Sequence, residues 1–283
     1  MRVFLRQWGE GRPILCLHGH PGSSDSMAVF GRSLSQRYRV LMPDLRGYGR
    51  SQGRSPFAMT DHLDDLIDIL DHQGIDRCLV LGWSLGGIIA MELALRYPER
   101  VAGLVLIATA ARPRGAHPRT HWSELLFTAI AALINQVAPG WQWNINTFGR
   151  RSLFQYLIRR QEPTPYRYIA KSAIADQLRT SRYAHQALNA AMAQGYNRLP
   201  DLDNILQPCW MGAGQWDVHI TAASSRETAE ALPHCQWREY ANVAHLFPWE
   251  IPHQLLTDIN EWLMKNYPDK DAHPLPLVPP VGP

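Results

Sequence analysis

The chain has 283 residues, of which 46% are hydrophobic, 19% charged and 10% aromatic, and its formal net charge is +3. That length allows one large α/β domain or two small domains, and the apolar fraction is too high for a disordered protein. The longest apolar run, residues 125–134, is too short to cross a bilayer, and Arg6 interrupts the segment where a secretory signal needs an apolar core. We therefore expect a cytoplasmic protein without stable membrane insertion. The cysteines lack CxxC spacing, which predicts free thiols at Cys16, Cys78, Cys209 and Cys235.

Strand-like and helix-like patterns alternate through the first 110 residues. Short apolar runs predict buried strands over 13–17, 38–42, 78–82 and 103–108. Helical spacing of apolar residues predicts helices over 60–73 and 85–97, which end at Gly74 and Pro98. Strands that alternate with helices pair in parallel, so the sheet should be covered on both faces.

This alternation stops near residue 111 and returns near residue 200. Residues 111–199 have helical patterns without a convincing strand, which predicts a helical cap inserted into one α/β domain. The core of that domain is then formed by 1–110 and 200–267, and its second part should contain strands over 209–212 and 236–240. Six prolines lie in 268–283, where we expect a disordered tail.

A serine between two glycines marks the end of the strand over 78–82. The motif is Gly82-Trp83-Ser84-Leu85-Gly86, and a helical pattern follows it directly. In a turn this tight, the residues two before and two after the serine must lack side chains. The turn lifts the Ser84 hydroxyl above the sheet and aims a helix N-terminus at it, which predicts a catalytic nucleophile rather than a capping serine.

Three blocks of sequence resemble the α/β-hydrolase family in order and rough spacing. They are His18-Gly19-His20-Pro21-Gly22, the segment Pro43–Ser51, and the Ser84 motif. The resemblance implies an α/β-hydrolase fold with a mostly parallel sheet, helices on both faces and a helical cap inserted after the sixth strand. The sequence GWSLGG with the later RYPERV is also similar to carboxylesterases, including those that hydrolyse the methyl ester of a pimeloyl carrier protein.

A serine hydroxyl needs a general base, and the base needs a carboxylate that orients it. In this fold the order along the chain is Ser, acid, His, and the acid follows a late strand. Asp217 follows the strand over 209–212 through a short loop, whereas Asp203 precedes that strand and is expected to cap a helix or turn. We therefore predict Asp217 as the acid.

The base should follow the last strand. His245 does so, whereas His234 precedes that strand and His253 begins the final helix. His219 follows the acid by only two residues, and we expect its ring not to reach around to the Asp217 carboxylate. Ser84, Asp217 and His245 are therefore the predicted catalytic triad.

The tetrahedral intermediate of such a reaction needs two N–H donors for its oxyanion. We expect one from the backbone of Leu85, and the family resemblance assigns the other to the backbone of His20. Gly19 and Trp83 beside these donors are expected to contact substrate. His18 and His20 have the spacing of a metal pair, but no third ligand lies nearby in sequence, so we expect no metal.

Haloalkane dehalogenases and epoxide hydrolases resemble this chain but have an aspartate at the position of Ser84. A serine at this position indicates hydrolysis of an ester, thioester or amide. No cofactor is expected, because neither GxxxxGK[ST] nor GxGxxG occurs. The favoured function is a serine carboxylesterase that forms an acyl-enzyme with a small-molecule ester. The alternatives are a carrier-linked methyl ester or thioester hydrolase, a cofactor-free perhydrolase or acyltransferase, and a non-hydrolytic ligand-binding protein on the same scaffold.

Positive charge is concentrated in the cap. Residues 112–200 contain 12 Lys and Arg against 3 Asp and Glu, a balance of +9, while the remaining residues contain 16 basic and 22 acidic residues, a balance of −6. This asymmetry fits a solvated surface of arginine stems, an attraction for an anionic substrate or an acidic acyl carrier protein, or contact with anionic lipid. No nucleic-acid-binding motif accompanies it, so no nucleic-acid partner is expected.

Four cap arginines are the leading candidates for recruiting a partner. They are Arg150, Arg151, Arg159 and Arg160, which would spread over a broad arc if they lay on one continuous helix. The aromatic side chains of the cap are expected mainly to form its core. These are Trp122, Trp141, Trp143, Phe148, Phe154 and Tyr156.

Overall fold

A computed structural model describes residues 3–268 and contains one seven-stranded sheet. The strands are β1 (Leu5–Trp8), β2 (Pro13–Leu17), β3 (Arg39–Pro43), β4 (Cys78–Trp83), β5 (Val101–Ile107), β6 (Cys209–Gly214) and β7 (Cys235–Tyr240). Their spatial order is β1-β3-β2-β4-β5-β6-β7, and only β1 runs antiparallel to its neighbour. The six expected strands are confirmed, with ends that shift by no more than two residues. Strand β1 was not predicted, because this short edge strand carries Arg6 and Gln7 and has no continuous apolar run.

Eleven helices surround this sheet in the described residues, joined by short 3₁₀ turns. They are α1 (Ala28–Leu34), α2 (Asp61–His72), α3 (Leu85–Arg96), α4 (Trp122–Val137), α5 (Gln142–Thr147), α6 (Pro163–Tyr168), α7 (Ile174–Leu178), α8 (Arg182–Ala193), α9 (Ala222–Ala231), α10 (Phe247–Glu250) and α11 (Pro252–Asn266). A π-helical turn, Ile169–Ala173, joins α6 to α7. None of these helices is both long and apolar enough to cross a membrane.

The buried side chains form two clusters, one on each face of the sheet. Successive residues of a strand point to opposite faces, so Ile14 and Cys16 join one cluster while Leu15 and Leu17 join the other. The first cluster includes residues of α1, α11 and the cap, and the second includes residues of α2, α3 and α9. Because both faces are covered, the parallel strands β2 to β6 are apolar along nearly their whole length, whereas the edge strand β7 carries Gln236, Arg238 and Glu239.

Helices α4 to α8 lie between β5 and β6, and no strand interrupts them in this described segment. The insertion therefore follows the fifth strand of the described residues, so its expected position after the sixth strand was wrong. That number came from the family pattern, and the described residues contain one strand fewer before the insertion. Of the expected tail, only Pro268 is described, and residues 269–283 lie outside the described part.

Aromatic and polar contacts join the cap to the core. The ring of Tyr168 stacks on Trp249 with centroids 3.7 Å apart and an interplanar angle of 14°. The Ser23 hydroxyl, in the loop after β2, donates to the Asp176 carboxylate at 2.6 Å. The expectation that the cap aromatics form its core holds for Phe154 but was wrong for three tryptophans, since Trp122, Trp141 and Trp143 are exposed.

Candidate active site

Ser84 lies in a sharp turn between the end of β4 and the start of α3. Its φ of 54° and ψ of −117° fall in a region that a residue with a side chain rarely adopts. A Cβ atom on Gly82 would collide with the carbonyl of Gly86, and one on Gly86 would collide with the carbonyl of Leu17. Both glycines are therefore required by the close approach of backbone, as the sequence motif predicted.

Asp217 and His245 meet at the same edge of the sheet as Ser84. Asp217 follows β6, His245 follows β7, and the carboxyl ends of parallel strands gather at one edge. The Nδ1 atom of His245 lies 2.7 Å from Oδ2 of Asp217. The second oxygen, Oδ1, accepts the backbone N–H groups of His219 at 2.8 Å and Ile220 at 3.0 Å. The carboxylate is thus fixed from both sides and can orient the imidazole.

These residues are enclosed by protein. Ser84 is 9% exposed, Asp217 4% and His245 7%. The alternatives weighed from sequence lie elsewhere: Asp203 is exposed before β6, His234 is exposed before β7, and His253 is exposed on α11.

The loop after β2 passes directly against Ser84. A Cβ atom on Gly19 would lie 3.1 Å from Cβ of Ser84 and 2.8 Å from the Trp83 ring, so only glycine allows this approach. The Trp83 side chain is buried, with ring centroids 5.6 Å from His245 and 4.9 Å from Trp249. It therefore packs against the loop at Gly19 and against His245.

The His18 side chain holds this loop through two hydrogen bonds. Its Nε2 atom accepts the Leu45 N–H at 3.0 Å, so Nδ1 carries the proton and donates to the Gly19 carbonyl at 2.8 Å. Burial lowers the pKa of His18 to about 4, which keeps the ring neutral. Both ring nitrogens are engaged within the protein. In residues 3–268, no three His, Cys, Asp or Glu side chains are grouped so that they could hold a metal.

The His20 side chain contacts both the core and the cap. Its Nδ1 lies 2.8 Å from the Tyr48 hydroxyl, and its ring meets His185 of α8 edge-on with centroids 4.7 Å apart. Burial, with the nearby His185 and His18, lowers the pKa of His20 to about 4. The neutral ring thus forms a contact between the core and the cap, while its backbone stays beside Gly19.

Sequence reasoning missed Glu250, which is buried at the end of α10. Its Oε1 accepts the Ala244 N–H at 2.8 Å, and its Oε2 accepts the N–H groups of Arg159 at 2.9 Å and Arg160 at 2.5 Å. Burial raises the pKa of Glu250. This carboxylate therefore joins the His245 loop to the cap. The only signal in the sequence was an acid inside the apolar stretch FPWEI.

His219 was set aside as the base, and the structure gives it a different place. The centroid of its ring lies 5.1 Å from the ring centroid of His245 and 4.4 Å from that of His117. Burial and the neighbouring His245 lower the pKa of His219 to about 3. A neutral ring therefore packs beside the histidine that binds Asp217.

An open groove of about 860 Å³, which we call the cap groove, runs between the cap and the Asp217 loop. Its walls include Arg150, Arg159 and Arg160, with Trp216 and Val218 on either side of Asp217 in sequence. The Arg159 guanidinium lies 4.5 Å from the Trp216 ring centroid.

The arc expected for the four arginines was wrong, because residues 150–160 do not form one helix. Arg150 and Arg151 lie in a 3₁₀ turn, whereas Arg159 and Arg160 lie in a loop. Tertiary folding nevertheless brings three of them to one groove. At the cap boundaries, Arg112 is paired with Glu227 and Arg198 with Glu92, so part of the positive charge is neutralised there.

Comparison with known proteins agrees with this architecture. The family model for the alpha/beta hydrolase fold matches residues 12–251. The chain is 38% identical over 259 residues to the pimeloyl-[acyl-carrier protein] methyl ester esterase of Nitrosomonas europaea, which covers 90% of this chain and 97% of that protein. It is 40% identical over 108 residues to the esterase of the same name from Shewanella woodyi, a match that spans 38% of this chain and 40% of that relative.

Matches to two further esterases of this name, from Edwardsiella ictaluri and Nitrosospira multiformis, likewise span only 41% and 42% of those relatives. Among solved structures, a thermophilic esterase from Thermogutta terrifontis superposes with a TM-score of 0.69 at 25% identity, covering 94% of each chain. The sheet order, the strained serine turn and these matches agree, and the chain belongs to the α/β-hydrolase family.

Proposed function

We propose that this protein is a serine carboxylesterase whose catalytic triad is Ser84, His245 and Asp217. The observation that carries this proposal is the 2.7 Å contact between His245 and Asp217 at the sheet edge where Ser84 is held in its strained turn. A weak nucleophile, a base and an orienting carboxylate are the three groups that acyl transfer requires.

The reaction follows from this arrangement. His245 Nε2 accepts the proton of the Ser84 hydroxyl while the serine oxygen bonds to the ester carbonyl carbon. Asp217 holds the Nδ1–H, so Nε2 is the basic nitrogen. Collapse of the tetrahedral intermediate breaks the bond to the alcohol, which leaves with the proton from His245. Water, deprotonated by His245, then attacks the acyl-enzyme and releases the acid.

The oxyanion of the intermediate is stabilised by backbone donors. Leu85 is the first residue of α3, so its N–H has no acceptor within the helix and lies at the positive end of the helix dipole. The backbone of His20 follows Gly19, whose Cα approaches Ser84. We assign the two N–H donors to Leu85 and His20.

The test is Ser84→Ala, assayed with p-nitrophenyl esters and with a fluorophosphonate probe. We expect kcat to fall by at least about 10³-fold while the melting temperature is kept, since removal of a triad member has this cost. Ser55→Ala, at an exposed loop serine, is the matched control and should label as the wild type does. Hydrolysis near the wild-type rate in Ser84→Ala, or an unlabelled wild type, would contradict the assignment.

For the substrate, we propose the methyl ester of an acyl chain linked to an acidic carrier protein. Two observations support this choice: Arg150, Arg159 and Arg160 line one groove beside the Asp217 loop, and residues 112–200 carry a balance of +9. The Nitrosomonas europaea relative is named for such an ester. Charges of this kind speed the encounter with an acidic partner.

Replacement of Arg150, Arg159 and Arg160 by Gln tests this substrate class. We expect kcat/KM for the carrier-linked ester to fall by about tenfold or more at low salt, with little change for p-nitrophenyl acetate. The difference should shrink with salt, because the Debye length falls from about 10 Å at 0.1 M to about 3 Å at 1 M.

The control is the triple replacement of Arg151, Arg179 and Arg182 by Gln, which removes the same charge from the cap outside the groove. Equal losses in the two triple variants would show that the groove arginines act only as general surface charge and do not form a specific docking site. Release of a free thiol instead of methanol from the carrier substrate would show thioester cleavage and contradict the methyl ester.

A further inference from the structure

Helix α4 turns its large apolar side chains to solvent. Trp122, Leu125, Leu126, Leu133 and Val137 are exposed by 68%, 56%, 49%, 71% and 89%. At about 100° per residue they lie within an arc of about 120°, and we call them the α4 stripe.

The opposite side of the helix is the side that is covered. It contains Ala131 and Asn135, which are buried. Phe127, Ile130 and Ile134 are half-buried between the two sides. The fully buried residues of the helix are therefore small or polar, while five large apolar side chains face water.

Aromatic side chains extend this surface beyond the end of the helix. Trp141 and Trp143 are each 51% exposed, and their rings lie 4.9 Å apart. Phe148 links them to α4, since its ring centroid is 5.8 Å from Trp143 and 6.2 Å from Phe127. Because Phe127 is half-buried and lies outside the arc of the α4 stripe, Trp141 and Trp143 form a second exposed apolar group beside the stripe. Exposed groups of large apolar side chains indicate an interaction site.

Three cations and one exposed acid, Glu162, lie around α4. The one acid of α4, Glu124, points back into the cap, where it accepts from Gln155 at 2.8 Å and Tyr156 at 2.7 Å. Lys171 follows Ala170, whose carbonyl accepts from Gln136 of α4. Arg167 lies against Gly140, just after the helix, and Arg119 lies three residues before it.

We propose that the α4 stripe docks this protein on the surface of an anionic phospholipid membrane. Leucine and tryptophan on one face, with lysine and arginine around them, are the composition of helices that lie in the membrane interface. Each cation near such a surface adds to the attraction for anionic headgroups. An acidic protein partner would instead engage charged side chains, which the stripe lacks, and a second copy would bring two cap segments of +9 together.

Docking would also have a consequence for access to the active site. Gln155 and Tyr156, the partners of Glu124, line the cap groove. The amino end of α4 therefore lies beside that groove, and a membrane-bound cap would place the groove close to the lipid surface. This inference goes beyond the proposed esterase function and does not depend on it.

The test is sedimentation with vesicles of phosphatidylcholine alone and of equimolar phosphatidylcholine and phosphatidylglycerol. We expect the wild-type protein to sediment with the anionic vesicles at low salt, and less at high salt. Replacement of Leu125, Leu133 and Val137 by Gln should weaken the partitioning by about tenfold or more, since each loses apolar area at the interface. Hydrolysis of p-nitrophenyl acetate and the melting temperature report whether this variant is folded.

The control variant is Leu206→Gln with Met264→Gln, two similarly exposed apolar residues on the core, which should bind as the wild type does. Ser84→Ala should also bind normally, so failure of the esterase proposal would leave this test intact. Unchanged binding in the stripe variant, or no binding of the wild type to anionic vesicles, would overturn the proposal. So would a wild-type dimer that the stripe variant loses, because the stripe would then bind a second copy.

Discussion

At the scale of single residues, Asp217 is held by a histidine on one oxygen and by two backbone N–H groups on the other. An amide cannot satisfy both sides. If the NH₂ group of an asparagine at position 217 faces His245, Nδ1 of the ring must accept a hydrogen bond and can no longer carry the proton. If the NH₂ group faces the other way, it opposes the backbone N–H groups of His219 and Ile220, which are also donors. The orientation of His245 therefore depends on the carboxylate and not only on the shape of the side chain.

Asp217→Asn should lower kcat by about 10⁴-fold while the protein remains folded, because the imidazole is then held in an unproductive tautomer. The measurement is steady-state hydrolysis of a p-nitrophenyl ester together with thermal unfolding. The control is Asp203→Asn, an exposed residue in the turn before β6, which should be silent. A damaging Asp203→Asn beside a silent Asp217→Asn would show that the wrong acid has been assigned.

At the scale of elements, the short helix α10 connects the His245 loop to the cap. Glu250 at its end accepts one N–H from Ala244 and two from the cap residues Arg159 and Arg160. These three donors are backbone groups, so their positions depend on how the cap lies on the core. Glu250 therefore fixes the backbone next to His245 and the backbone of two residues in the wall of the cap groove.

Glu250→Gln should lower kcat by about tenfold and the free energy of unfolding by about 1–3 kcal/mol, because the new NH₂ group opposes at least one buried N–H donor. Chemical denaturation and ester hydrolysis measure the two effects. Glu261→Gln, on the exposed side of α11, is the control and should change neither. A loss of stability with an unchanged kcat would show that Glu250 only supports the fold.

At the scale of the whole molecule, the fold buries several neutral histidines. Desolvation by burial is the largest cause that lowers the pKa of His18 and His20 to about 4 and of His62 and His219 to about 3. An unfolded histidine binds its proton near pH 6.5. Between pH 6.5 and about 4 the unfolded state therefore holds more protons than the folded state, and stability falls as the pH falls.

His62→Leu should reduce this acid sensitivity. Nδ1 of His62 is buried without a hydrogen-bond partner in the described residues. The ring centroids of His62 and Phe57 lie 5.3 Å apart, so an apolar side chain can pack at this position. Each such histidine lowers the free energy of unfolding by about 1.4 kcal/mol for each pH unit between 6.5 and the pKa of that histidine in the folded state.

Denaturation curves from pH 7 to pH 4 measure the slope, which should be lower in His62→Leu by about one proton. The control is His234→Gln, at an exposed position that water solvates in both states. If His62→Leu kept the wild-type slope, His62 would not contribute to the acid sensitivity.

The local features of this protein could be predicted from the sequence by itself. Five of the six predicted strands were found because parallel strands buried on both faces are continuous apolar runs, and the helices before and after β4 were found from their apolar spacing. The family resemblance supplied the expected order of Ser84, Asp217 and His245, and the strand pattern placed each of them after a strand. The requirement for glycine at positions 82 and 86 could also be predicted, because the tight turn around Ser84 leaves no room for a Cβ atom there.

Only the tertiary structure decided which surfaces meet. Glu250 reaches the cap across about 90 residues of chain, and Arg150, Arg159 and Arg160 share a groove without sharing a helix. The pattern of α4 indicates an apolar face but not whether a neighbour covers it, and Trp122 of this helix, expected in the core, lies in solvent. Trp141 and Trp143 at α5 are exposed as well. Periodicity reports the geometry of one element, whereas burial depends on what packs against that element, and this is settled only when the whole chain has folded.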